Sequence, residues 1–196
     1  MIIVGITGAS GVIYGKRICE ELARHDHEVA LVVTEHAKGV ICQELKIKSY
    51  KKNKIFSEEI CEKIKEFSIS DMSSSIASGS FKTSGMVIAP CSINSLGAMA
   101  AGICNNLLLR SAQVTLKEKR PFVIVPRESP IGLIQIRNLL TLSEAGAIIV
   151  PPCPAFYNDP QTVDDIINFT VSRVLNLLGI ENNLTKQWDY CCGDHK

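Results

Sequence analysis

Glycines stand at every third position of GITGASG (Gly5, Gly8 and Gly11), with hydroxyls at Thr7 and Ser10 between them. The run lies between an apolar stretch, IIVGI, and a helical pattern, VIYGKRICEELAR. A turn of small residues at a helix start presents backbone N–H groups, which suits a ligand phosphate. Tight packing alone is the other reading. The spacing is not the GxGxxG of dinucleotide-binding turns, so that fingerprint is not matched. A second apolar run, EVALVVT, ends in Thr34 and Glu35, where an acid can hold a ribose and a hydroxyl can donate to a phosphate. A third, MVIAP, is followed by Cys91, Ser92, Ile93, Asn94 and Ser95. Cys91 has no histidine beside it, so it reads as a small residue in a tight turn rather than a nucleophile. Arg127 and Glu128 follow the fourth run between Pro126 and Pro130, and read either as a surface ion pair or as catalytic groups. Of the four histidines, His25 and His27 fall in one turn, His195 is near the C-terminus, and His36 reads as a solvated helix start. No HxxxH pair and no Ser-His-Asp set emerges. What remains is hydroxyls, backbone amides and the cations Arg110, Lys117, Arg127 and Arg173, an inventory that suits binding phosphate and stabilising it as a leaving group.

These groups must be positioned by the elements between them. Continuous apolar runs at 2–6, 28–34, 86–90, 121–126 and 147–151 read as buried strands. Helical patterns separate them at 12–24, from 35 to about Leu45, through CSINSLGAMAAGICNN, through RSAQVTLKEK, at 133–145 and in a long segment ending at Gly179. Alternating strands and helices of this kind predict an α/β fold: a single-domain, doubly wound parallel sheet, a Rossmann- or flavodoxin-like three-layer sandwich. Ligands of such sheets bind beyond the carboxyl ends of the strands. The segment KIKSYKKNKIFSEEICEKIKEF, 46–67, reads as a surface excursion with one short helix. The stretch SISDMSSSIASGSFKTSG has the composition of a flexible linker, yet it lies inside the domain, where long loops are often functional. One domain over 1–180 and a C-terminal tail over 181–196 are expected.

The chain has 196 residues and a formal net charge of +1, without a basic stripe, which gives no support to a nucleic-acid partner. No uninterrupted apolar stretch is long enough to span a bilayer, and no basic region precedes the first apolar residues. The eight cysteines include no CxxC pair, so a cytoplasmic protein with reduced thiols is expected. Cys191, Cys192 and His195 are metal-ligand types, but adjacent cysteines are poor tetrahedral partners, and the reading is a loose tail with no metal.

Taken together, GITGASGVIYGKR, APCSINSLGAMAAGICNNLLLRSAQVTLKEKRPFVIVPRESP and GAIIVPPCPAFYNDPQTVDDIINFTVSRVLNLLGI closely resemble the UbiX-type flavin prenyltransferases, relatives of the flavin-containing cysteine decarboxylases. The resemblance covers most of 2–180 and is weakest between about 48 and 77. It implies reduced FMN as prenyl acceptor, dimethylallyl monophosphate as donor, and prenylated FMN, joined at N5 and C6, as a product for a UbiD-type decarboxylase. By matching position, Gly8, Ala9, Ser10, Thr34, Ser92, Ile93, Asn94, Ser95 and Arg127 line the flavin site. Lys117, Tyr157 and Arg173 hold the prenyl phosphate, with Glu44 and Arg110 contributing from a subunit junction. Glu128 handles a proton near the departing phosphate, and Ser10, Lys117, Glu44 and Glu128 form the implied catalytic group. A homo-oligomer, possibly a dodecamer, is also implied.

Departures from the family pattern are mild: Thr34 stands where serine is common, and Gln135 where a histidine often follows the PRE motif. Two other readings compete. A flavin-dependent cysteine decarboxylase wants an active-site histidine, for which His36 is the nearby candidate, and leaves the PRE and PAFY motifs unexplained. A non-catalytic FMN-binding subunit of a decarboxylase needs none of Lys117, Glu128, Tyr157 and Arg173.

Overall fold

The computed structural model describes residues 1–185. Six strands form one parallel sheet: β1 (Ile2–Ile6), β2 (Val29–Val33), β3 (Ile64–Phe67), β4 (Gly85–Cys91), β5 (Phe122–Pro126) and β6 (Ile148–Ile149), in the order β3-β2-β1-β4-β5-β6. The helices are α1 (Val12–Arg24), α2 (Glu35–Glu44), α3 (Lys52–Ile55), α4 (Glu58–Lys63), α5 (Ile93–Ala100), α6 (Leu107–Lys117), α7 (Leu133–Glu144) and α8 (Val163–Leu177). Every residue of β1, β2, β4 and β5 is buried, as continuous apolar runs covered on both faces require. Alternation along β1 divides the core. Ile2, Val4 and Ile6 join Ile18 and Leu22 of α1, Ile41 of α2 and Val171, Val174 and Leu175 of α8 on one face. Ile3 joins Leu96 and Met99 of α5, Leu108 and Ala112 of α6 and Leu142 of α7 on the other. The expected doubly wound three-layer sandwich is the observed fold.

Four local expectations are corrected. The excursion at 46–67 carries two short helices and β3, a sixth strand. Only Ile64 and Phe67 of β3 are buried, so the central Lys65 and Glu66 mask its strand character in the sequence. The helix expected through Asn106 already ends at Ala100, with Gly102 at a φ of 72° after it, and the next begins earlier than expected, at Leu107, where the Asn106 side chain caps α6 by accepting from Leu109 N at 3.0 Å. The last strand shrinks to Ile148–Ile149. The serine-rich segment is not a loose linker: it makes a short 3₁₀ turn at Ser75–Ala77 and buries Ile76 to 1% exposure.

Two sequence features locate the flanks of the sheet. Thr162 and Asp165 form a reciprocal capping box that starts α8, the side chain of each accepting from the backbone N–H of the other. Helix α7 turns Leu133, Ile134, Ile136 and Leu140 outward, each more than half exposed. No helix of the described residues is long and apolar enough to cross a membrane.

Leu22, 0% exposed, fixes α1 to the sheet. Leu22→Ala is expected to cost about 2–5 kcal/mol, read as a lower urea midpoint at unchanged slope.

Candidate active site

β1 and β4 are neighbours in space, and the chain leaves them in opposite directions, so a crevice opens beyond their carboxyl ends. Thr7, directly after β1, is fully buried and makes three bonds across this crevice. Its backbone N–H and its hydroxyl donate to Pro90 O at 3.2 and 2.8 Å, and its Oγ1 accepts from Ser92 N at 2.6 Å. The glycine turn and the start of α5 are thereby tied together. A side chain at Gly8 would meet His36 Cβ at 2.8 Å, so only glycine lets the turn press against α2. Thr34 and Ser92 serve as N-caps: Thr34 Oγ1 accepts from Ala37 N at 3.4 Å and Ser92 Oγ from Ser95 N at 3.3 Å. The Ser92 hydroxyl also donates to Ser95 Oγ at 3.1 Å. Ile93 and Asn94 form the first turn of α5, Ala9 is buried under the turn, and Ser10 is exposed at its tip.

The glycine turn departs from the sequence expectation in one respect. Gly11 adopts a left-handed φ of 95°, and its N–H donates to Glu44 Oε1 and Oε2 at 3.1 and 3.0 Å, while Val12 N donates to Glu44 Oε2 at 3.0 Å. Within the chain, then, the Glu44 carboxylate takes the amides that begin α1, where negative charge is favoured. The Ser10 and Thr34 hydroxyls and the charge of Arg127 remain for a phosphate. Arg127 and Glu128 are exposed beyond β5, with Arg127 N donating to Cys91 O at 3.1 Å. Glu128 accepts from Ser129 N at 2.9 Å, and no ion pair joins Arg127 and Glu128 among the described residues. Burial pushes the Cys91 thiol up to about 12, which fits a packed residue and not a nucleophile.

The remaining candidates lie elsewhere. Tyr157 and Arg173 line a polar cleft of about 900 Å³ beside α8, with His25, Phe169, Ser172 and Asn176, and Tyr157 meets the Phe169 ring edge-on at 6.1 Å. Arg110 and Lys117 stand two turns apart on one face of α6. Arg110 Nε donates to Ala77 O at 3.0 Å, and Lys117 pairs with Glu118 at 2.9 Å, holding that carboxyl below its ordinary range. Because α6 ends at Lys117 and β5 begins at Phe122, Lys117 sits at the amino edge of the sheet, opposite Ser10 and Glu128. A single chain thus holds the strand-end set, the α8 pair and the α6 pair apart. Cys191, Cys192 and His195 lie outside the described residues. Sequence reasoning missed Thr7 as a tie. Its signal was a hydroxyl ending an apolar strand, a buried polar group that must find partners.

The strand-end residues fit a flavin mononucleotide: a pre-tied edge of hydroxyls and glycines, open to solvent, with one arginine for a phosphate. Thr7→Val leaves the Ser92 N–H without its acceptor. It is expected to cost about 1–3 kcal/mol and to weaken FMN binding, with Thr7→Ser restoring both, as read by melting and by flavin fluorescence titration.

The family model described as Flavoprotein matches residues 1–175. The flavin prenyltransferase UbiX of Methanocaldococcus jannaschii is 47% identical over 187 residues, covering 95% of this chain and 97% of that protein. The crystal structure of AnUbiX (PadA1) in complex with FMN and dimethylallyl pyrophosphate superposes with a TM-score of 0.85 at 34% identity, covering 96% of both chains. That of a dodecameric FMN-dependent UbiX-like decarboxylase from Escherichia coli O157:H7 gives 0.85 at 39% identity, over 96% of this chain and 98% of the other. The chain thus belongs to the flavoprotein family as one of its UbiX flavin prenyltransferases.

Proposed function

We propose that the protein transfers the dimethylallyl group of dimethylallyl monophosphate to reduced FMN, releasing phosphate and prenylated FMN for a UbiD-type decarboxylase. What carries this reading is the 47% identity to a UbiX flavin prenyltransferase over 95% of this chain, together with the presence of Arg110, Lys117, Tyr157 and Arg173, cations and a phenol that a mere flavin carrier does not need. When bound, the reduced flavin supplies the nucleophilic N5 and C6. Gly8, Ala9, Ser10, Thr34, Ser92, Ile93, Asn94, Ser95 and Arg127 hold it at the carboxyl edge. Lys117, Arg173 and Arg110 neutralise charge that builds on the donor's phosphate as its C–O bond breaks, and Tyr157 adds a hydrogen-bond donor. Such stabilisation is strongest where water is excluded. Glu128 holds a proton near the departing phosphate, and Glu44 keeps Ser10 in place by fixing Gly11. Residues 1–180 form the flavoprotein domain, and 181–196 its tail.

The three separated sets come together when copies of the chain meet, which is the physical reason for a homo-oligomer, of dodecamer size in the reading from resemblance. The outward apolar face of α7 supplies a surface for that assembly. The six described cysteines are all free thiols, in keeping with a cytoplasmic setting.

The direct test is anaerobic incubation with reduced FMN and dimethylallyl monophosphate, followed by mass spectrometry of the released flavin. A gain of one five-carbon unit is expected, and unmodified FMN after tight binding would overturn the reading. Glu128→Gln is expected to bind FMN as wild type while slowing transfer roughly 10²–10⁴-fold, the usual worth of a proton-handling group. Ile134→Glu, at a position 70% exposed in the single chain, is expected to yield a folded species of lower mass in light scattering and to lose transfer with the assembly.

A further inference from the structure

The serine-rich segment is fastened from one side. Ser111 Oγ donates to Ile76 O at 3.2 Å and Arg110 Nε to Ala77 O at 3.0 Å. Arg120 then donates three times: Nη2 to Gly79 O at 2.7 Å, and Nη1 to Phe81 O at 2.9 Å and to Thr83 Oγ1 at 3.1 Å. All these donors belong to α6 or to the turn that follows it. The segment is thus mounted on the helix that carries Arg110 and Lys117.

At Gly79 the backbone lies close against the side chains at that helix's end. A methyl built there would lie 3.0 Å from Lys117 Nζ and nearer still to Glu118 Oε1. Gly79 is not in the left-handed region, so the glycine serves space rather than backbone freedom. The Lys117 ammonium lies in the slot this glycine leaves open, held at 2.9 Å by Glu118, while Ser78 Oγ and Ser80 Oγ sit 2.9 Å apart on either side of Gly79 in the chain.

We propose that Gly79 and Arg120 are positioning residues for Lys117: Arg120 pins the 79–83 backbone, Gly79 leaves room for the ammonium, and together they set where Lys117 meets the donor's phosphate. This rests on Lys117 holding that phosphate, as in the reading above. Misplacing such a group by about 1 Å can cost roughly 10²-fold in rate.

Gly79→Ala is the decisive variant, because the atoms it displaces are tips of flexible side chains and the fold is spared. The expected result is an unchanged melting temperature and FMN affinity, with KM for dimethylallyl monophosphate raised about 10-fold or more. The double variant with Lys117→Ala should be no worse than Lys117→Ala alone, since both act through one group. Arg120→Ala should raise the same KM, with partial recovery on adding free guanidinium ion. A wild-type KM in Gly79→Ala beside an impaired Lys117→Ala, additive losses in the double variant, or a lowered melting temperature in Gly79→Ala would each overturn the proposal. A wild-type KM in Lys117→Ala would overturn the role of Lys117 and this proposal with it. Absence of prenyl transfer by the wild type is the separate result that defeats the functional reading itself.

Discussion

A buried hydroxyl joins the two strands at the centre of the sheet. Thr7 donates to Pro90 O and accepts from Ser92 N, so the turn after β1 and the cap of α5 move as one body. In a parallel sheet the strand ends are where ladder bonding stops and backbone groups must find other partners. Here those partners are each other. The strand ends proposed to hold the flavin are therefore tied by bonds that are satisfied without any ligand, and they have little further freedom to lose when one binds.

The second constraint is electrostatic. The start of α1 attracts negative charge, and the chain supplies it internally through Glu44, which accepts from both Gly11 and Val12. The left-handed Gly11 is stabilised by that carboxylate, and Ser10 is carried on the adjoining peptide. Positive charge is distributed differently. Arg127 stands at the carboxyl edge, Arg173 beside α8, and Arg110 and Lys117 along α6. Cations spread in this way do not repel one another strongly within one chain. In the proposed function their convergence on a phosphate is work for an assembly, whose contact surface the outward residues of α7 are suited to form.

Much of this was legible in the sequence. Uninterrupted apolar runs such as VALVV announce strands buried on both faces, and their alternation with helical periods leaves a doubly wound parallel sheet as the consistent fold. The strand-end residues follow, because ligands of such sheets sit beyond the carboxyl ends, and motifs such as GITGASG and PRESP, read as a resemblance, pointed to a flavin and a prenyl phosphate. These features are local: each depends on residues adjacent in the chain or on one period. β3 escaped because an edge strand with only two inward residues carries too little alternation to be told from a charged loop.

The remaining features were decided by tertiary structure alone. Serine composition implies a flexible linker, yet three side-chain anchors from α6 and Arg120 order the segment, and no composition encodes partners more than thirty residues away. The seat of Glu44 on α1, the tie made by Thr7 and the slot at Gly79 all depend on how helices and strands register against one another. So does the separation of Lys117 from Ser10, which lie at opposite edges because α6 runs the length of the sheet before β5 begins. The sequence by itself determined five of the six strands and the doubly wound parallel sheet that they form. Which groups meet was left to packing, since contact between distant residues is set by the phase of a helix and the register of a strand, and neither is written in any short stretch of chain.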